Sequence, residues 1–394
     1  MHVAELGKGP TILLIHGFPE LWYAWRHQIT YLASHGYRAV APDLRGYGDT
    51  TGAPTTDPTK FTTLHVVGDL VALIDTVAAP GEAKVFVVGH DWGAVMAWGL
   101  CLYRPDKVKA LVNLSIPYSP RNPKFKPVDA LRALYGNDYY MIRFQEPGDI
   151  EREMGVWGTE RVLNDLFSYR KPAPLFLPKG KGFGSSPKDP LILPPWLSKQ
   201  ELAFYTDKFK KTGFTGGLNY YRALNINWEL TAPWTGAQVK VPVKFVVGDL
   251  DVTYNSLDAK DYIGKGGFKK DVPLLEDAII LKGQDFTVSE SFRHSLSKRL
   301  SPWLFLYVWK RRGSGGAIGG VGRGRSRDRF THVVRFFRLL IEGSNKRAAA
   351  AKMERPSPEK RRGTALNEWR CEVAALKEWS RGSFTIVACW SEEG

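Results

Sequence analysis

The run Gly89-His90-Asp91-Trp92-Gly93 follows directly on the apolar stretch Lys84-Val85-Phe86-Val87-Val88 and places a carboxylate at the centre of a Gly-x-nucleophile-x-Gly turn. Such a turn bends the chain sharply from strand into helix and lifts its central side chain above a sheet, so its flanks must be small. A serine there would attack acyl carbons. A carboxylate is better suited to displacing an oxygen or a halide from a saturated carbon, which leaves an ester on the enzyme itself. Without that chemistry the five residues are an ordinary strand-to-helix turn with a capping Asp.

The elements that must position Asp91 are readable upstream. Thr11-Ile12-Leu13-Leu14-Ile15 runs into His16-Gly17-Phe18-Pro19-Glu20, and Tyr37-Arg38-Ala39-Val40-Ala41 runs into Pro42-Asp43-Leu44-Arg45-Gly46-Tyr47-Gly48. Short apolar runs ending in Gly/Pro turns, separated by helical patterns over Leu21 to Ser34 and Leu64 to Val77, indicate βαβ units and a parallel sheet. In such sheets ligands bind at the carboxyl edge of the strands. A further buried strand is expected at Lys109 to Leu114, after which strand patterning stops until Val243-Lys244-Phe245-Val246-Val247. Between them lie helical segments rich in Tyr, Trp and Phe, interrupted by the Pro/Gly/Lys-rich stretch from Lys171 to Pro195. An aromatic helical insertion at this point suits a lid, with a mostly apolar site beneath it and a lipophilic substrate.

The HGFPE, PDLRGYG and VGHDWGA runs together resemble the plant-type soluble epoxide hydrolases of the α/β-hydrolase superfamily, from about Met1 to about Leu281. The resemblance implies an α/β-hydrolase fold, with a mostly parallel sheet, flanking helices and a helical lid. The expected divisions are a first core part over 1–118, the lid over 119–232, a second core part over 233–300 and a basic tail over 301–394. It also implies a catalytic role for Asp91 and for two lid tyrosines. Asp138-Tyr139-Tyr140-Met141-Ile142-Arg143-Phe144-Gln145-Glu146-Pro147-Gly148 and Leu218-Asn219-Tyr220-Tyr221-Arg222 are similar to the segments that supply them, at Tyr140 and Tyr221. Opening an epoxide makes an alkoxide, and a phenol with pKa about 10 can protonate it while staying neutral at pH 7. The resemblance further implies that the backbone N–H groups of Phe18 and Trp92 hold an oxyanion. After the strand Val243 to Val247 either Asp249 or Asp251 could orient a histidine by position, and the resemblance favours Asp251, with Asp249 as a turn residue. No cofactor or metal is required.

At that histidine the pattern breaks. The family carries a His-Phe pair after the next strand, here Ala278 to Leu281, whereas this chain reads Lys282-Gly283-Gln284-Asp285-Phe286-Thr287. Ungapped alignment puts Phe286 at the position, and a one-residue deletion puts Asp285 there. His294 is the nearest substitute, with His332 more remote. Loss of a general base slows the step it serves on the order of 100-fold to 10,000-fold. The first half-reaction needs no such base, so a covalent intermediate is expected to accumulate.

The start at Met1-His2-Val3-Ala4-Glu5 looks like the family's second strand without its first, and no familiar final helix follows Gly283. An unpaired sheet edge and a missing covering helix are expected to weaken the core. The net charge of +15 is concentrated late: residues 301–394 hold 19 Lys and Arg against 9 Asp and Glu. The Gly/Arg/Ser composition around Gly322 to Arg327 argues for disorder, and for a solvated appendage or reading-frame artefact rather than a nucleic-acid-binding arm. Three cysteines, Cys101, Cys371 and Cys389, are too scattered for a disulfide framework. That scarcity, with no secretory signal and no apolar run of bilayer length, points to a cytoplasmic protein without a membrane partner.

Three functions remain open: an epoxide hydrolase impaired in its second step, a haloalkane dehalogenase sharing the His-Asp-Trp-Gly turn, and a non-turnover binder of a lipophilic ligand. The tyrosine pair favours the first. His16 is expected to brace its loop rather than transfer protons.

Overall fold

Seven strands form one sheet in the order β1-β3-β2-β4-β5-β6-β7 in a computed structural model that describes residues 1–182 and 188–284. They are β1 (Val3–Leu6), β2 (Thr11–Ile15), β3 (Arg38–Pro42), β4 (Val85–His90), β5 (Val108–Leu114), β6 (Val243–Gly248) and β7 (Leu275–Leu281). β1 pairs antiparallel with β3, and every other pairing is parallel. This is the α/β-hydrolase architecture expected from the sequence. β2 and β4 are buried along their whole length, as strands covered by helices on both faces must be. Their unbroken Ile, Leu, Val and Phe content is what made them legible.

Two elements differ from the sequence expectation. The single helix read over Leu21 to Ser34 is a 3-10 turn, Trp22–Trp25, followed by the α-helix Arg26–Ser34. The Trp22 N–H is drawn to Asp43 Oδ1 at 2.9 Å, so the segment begins as a loop anchor before it winds into a helix. β7 starts at Leu275 rather than Ala278 because Glu276 and Asp277 occupy exposed strand positions, which an apolar-run criterion passes over.

Strand order reverses at β2, which has β3 on one side and β4 on the other. The crevice outside the carboxyl ends at such a switch point is where open α/β sheets bind ligands. The pairing Ile15↔Gly89 sets the loop after β2 directly beside the loop after β4. Between β5 and β6 the chain leaves the sheet and forms the insertion. Its helices are Pro127–Tyr135, Tyr140–Arg143, Asp149–Trp157, Thr159–Phe167, Lys199–Thr212, Thr215–Arg222 and Leu224–Leu230. No described residue between Phe167 and Lys199 is helical, in line with its Pro/Gly content. Asp285, Phe286, His294, His332 and the whole of 301–394 lie outside the described residues.

Candidate active site

Asp91 sits between β4 and the helix Trp92–Tyr103 with φ 50° and ψ −124°, a conformation that a non-glycine residue adopts only where its surroundings enforce it. The neighbouring glycines do so. A Cβ at Gly93 would collide with the carbonyl oxygens of Ile15 and His16, and one at Gly89 would lie 2.6 Å from Asn113 Oδ1 and from the Gly93 carbonyl oxygen. A Cβ at Gly17 would strike the Asp91 side chain. The strained turn thus lets the β2 and β4 loops close on each other with only backbone between them.

The Phe18 N–H donates to Asp91 Oδ1 at 2.7 Å, and the Trp92 backbone N–H also hydrogen-bonds the carboxylate. Burial pushes the Asp91 carboxyl up to about 6, opposed by nearby His90 and by these two donors. It is therefore ionised above neutrality while only partly hydrated. The two donors expected to hold an oxyanion already grip the group on which one would form.

Tyr140 and Tyr221, both in the helical insertion, each interact electrostatically with this carboxylate. Tyr221, near the end of Thr215–Arg222, is buried, with its ring edge-on to Trp92 at 4.9 Å and to Phe18 at 5.7 Å between centroids. Its phenol is hydrogen-bonded by the Trp92 side chain, which can only donate. The Tyr140 ring lies 5.9 Å from that of Tyr221, and Phe144 packs against both. Burial holds the two phenols well above 10, so both are proton donors at any physiological pH.

Asp251 follows β6 on the same sheet edge and is fully buried. Its Oδ1 accepts from the Thr253 N–H and hydroxyl, each at 2.7 Å, while its Oδ2 has no hydrogen-bond partner among the described residues. Burial raises its pKa. Asp249, the alternative considered, is partly exposed and accepts from the Gly283 N–H at 2.7 Å, so it shapes the turn after β7. The Leu250 N–H donates to the Gln284 carbonyl at 3.0 Å, which brings the end of the described chain next to Asp251.

Two buried histidines stand beside Asp91 and both are engaged. His16 hydrogen-bonds the Gly17 carbonyl through Nδ1 at 2.9 Å and accepts the Leu44 N–H at Nε2 at 3.0 Å, so it braces its loop. Burial lowers its pKa. His90 pairs through Nδ1 with Glu20 Oε2 at 2.9 Å, and the same oxygen accepts the Gly17 N–H. Burial alone would raise the Glu20 carboxyl, but His90 and these hydrogen bonds hold it below its usual range. Sequence reasoning assigned no role to this pair. The only available signal was an acid, Glu20, between two apolar runs. Asp43 in the PDLRGYG run is an anchor: it accepts from Trp22 N–H, Asp49 N–H and the His2 ring. His2, Asp43 and Asp49 are the one cluster among the described residues with metal-ligand proximity, and Lys208 already pairs with Asp49.

A strained aspartate elbow at the switch point of this sheet, roofed by a helical insertion, defines an α/β-hydrolase-fold protein, and the family model for that fold matches residues 10–160. Epoxide hydrolase 3 of Siraitia grosvenorii is 55% identical over 282 residues, 72% of this chain and 87% of that protein. Epoxide hydrolase A of Mycobacterium tuberculosis is 37% identical over 68% of this chain and 85% of its own length. Among solved structures, epoxide hydrolase I of potato (Solanum tuberosum) superposes with a TM-score of 0.74 at 61% identity, covering 77% of this chain and 95% of that one. Epoxide hydrolase from Vigna radiata gives 0.72 at 53% identity, over 77% and 94%. The chain belongs to the epoxide hydrolases, with the plant-type enzymes as its relatives. No helix among the described residues is long and apolar enough to cross a membrane.

Proposed function

We propose that this protein opens small lipophilic epoxides by forming an ester on Asp91, and that it releases the diol slowly for want of the usual base. The observation that carries the reading is the grouping of two neutral phenols, half-buried Tyr140 and buried Tyr221, beside a carboxylate whose Oδ1 is already held by backbone N–H. In the first step the Asp91 oxygen that the Phe18 N–H does not hold, Oδ2, attacks an epoxide carbon. The carbon–oxygen bond of the ring breaks, and the departing oxygen takes a proton from a tyrosine. Oδ1 becomes the ester carbonyl oxygen.

In the second step water adds to that carbonyl, and charge gathers on Oδ1, where the Phe18 N–H, with the Trp92 N–H bonded to the same carboxylate, stabilises it. The water must lose a proton, and 282–287 offers no histidine to take it. His16 and His90 are committed to Gly17 and Leu44, and to Glu20. Asp251, with an oxygen that accepts no hydrogen bond from the described residues, fits a carboxylate built to orient an imidazole. The aromatic walls of Phe18, Trp92 and Phe144 favour apolar substituents on the epoxide. The few cysteines support a cytoplasmic setting.

The test is single-turnover reaction with styrene oxide. Tyr140→Phe and Tyr221→Phe should each slow ester formation at Asp91, and the double variant should nearly abolish it. Equal rates in the parent and the double variant would contradict the assignment. Halide release from an alkyl bromide, with no reaction at the epoxide, would favour a dehalogenase.

A further inference from the structure

We propose that Gln145 is a positioning residue that fixes the separation of the two lid tyrosines, an inference that rests on the tyrosine roles just given. Tyr140 and Tyr221 are 81 positions apart and lie on different helices, Tyr140–Arg143 and Thr215–Arg222. Two phenols can share one epoxide oxygen only if these helices keep a fixed spacing. Ring packing alone resists sliding weakly, because dispersion contacts are non-directional.

One directional link across this join is a side-chain amide. Gln145 Nε2 donates to the Met141 carbonyl at 2.7 Å and to the Tyr221 carbonyl at 3.2 Å. Met141 directly follows Tyr140, so the two hydrogens of one amide tie the turn carrying the first tyrosine to the backbone of the second. Arg222 closes the opposite side. Its Nε donates to the Phe144 carbonyl at 3.0 Å, and its Nη2 reaches both oxygens of Glu151 at 2.8 and 2.9 Å. Arg222 is held by several partners, and its loss would disturb the lid broadly. Gln145 is partly exposed and contributes two hydrogen bonds to this join, so it can be altered with less disturbance.

The chemistry demands an amide. An ionised carboxylate of the same length is acceptor-only and would face two carbonyl oxygens. Gln145→Glu should therefore be at least as damaging as Gln145→Ala. Misplacing a reacting group by about 1 Å can cost on the order of 100-fold.

The experiment is a double-mutant cycle on the rate of Asp91 ester formation with styrene oxide, in the full chain, with thermal unfolding recorded for every variant. In the parent, Gln145→Ala and Gln145→Glu should slow the reaction roughly 10-fold to 100-fold. In the Tyr221→Phe background there is no second hydroxyl to place, and the same changes should cost less than about 3-fold. An equal loss in both backgrounds would show that Gln145 acts through general lid integrity, and would overturn the proposal while leaving the tyrosine roles intact. No effect of Gln145→Glu in the parent would overturn it too. If Tyr221→Phe alone leaves the rate unchanged, the tyrosine reading fails and the proposal with it.

Discussion

Replacing Asp91 with asparagine should make the protein more stable, by an amount that depends on pH. The reference carboxyl titrates at 3.8, and burial lifts Asp91 to about 6. At about 1.4 kcal/mol for each tenfold change in proton affinity, the ionised form weakens the fold by roughly 3 kcal/mol. The folded state binds the proton more tightly than the unfolded chain. Below about pH 4 both states are protonated and the group's contribution is fully present; it is lost as pH rises through about 6, and is constant above that. Asparagine retains an oxygen that can accept from the Phe18 and Trp92 N–H groups, and it does not titrate. Urea unfolding of both proteins across pH 4 to 8 should show the stability difference moving in favour of Asp91→Asn by about 3 kcal/mol, with most of the change between pH 4 and 6. Parallel stability curves over that range would refute the claim that the fold bears the charge of a desolvated Asp91.

The same titration governs reactivity: ester formation with styrene oxide should be flat above about pH 7 and fall about tenfold per pH unit well below 6, and a rate independent of pH down to 4 would contradict an ionised Asp91 as attacker. Gly93→Ala should lower stability by about 1–3 kcal/mol or more, because the new methyl meets the Ile15 and His16 carbonyl oxygens; an unchanged denaturant midpoint would show that the two loops are not in contact. Phe286→His should raise diol release on the order of 100-fold by returning a base to the segment that follows Gln284, with Asp285→His as the second placement. Failure of both, with ester formation intact, would show that the missing histidine is not what limits the second step.

What the sequence disclosed, and what it hid, follows from whether local composition or a partner presented only by the folded chain sets a residue's role. β2, β4 and the elbow glycines were legible because burial on both faces and a sharp turn impose local composition. Tyr140 and Tyr221 could be selected from sixteen tyrosines only through the family resemblance of their segments, since nothing in the spacing distinguishes Tyr140 from Tyr139, which is itself buried. The Glu20–His90 pair, the Thr253 bonds to Asp251 and the Gln145 link were invisible. Their partners are 70, 2 and 76 residues apart, and in each case a polar side chain answers a backbone group or a charge that only the folded chain presents. Asp249 and Asp251 are separated by two positions, yet one is half-buried in a turn and the other is sealed. Asp249 accepts the Gly283 N–H of the turn after β7, whereas Asp251 accepts from the neighbouring Thr253.

The central claim is that ester formation outruns ester hydrolysis, and intact mass measurement tests it most directly. Incubating the protein with excess styrene oxide and quenching at intervals should yield one substrate mass per chain, located on the peptide that contains Asp91, with diol remaining near one equivalent or below. Asp91→Asn should carry no such adduct, because a neutral amide is a poor nucleophile. Sustained release of many equivalents of diol, with no adduct detectable in the steady state, would contradict the account and require a base that acts in place of the missing histidine.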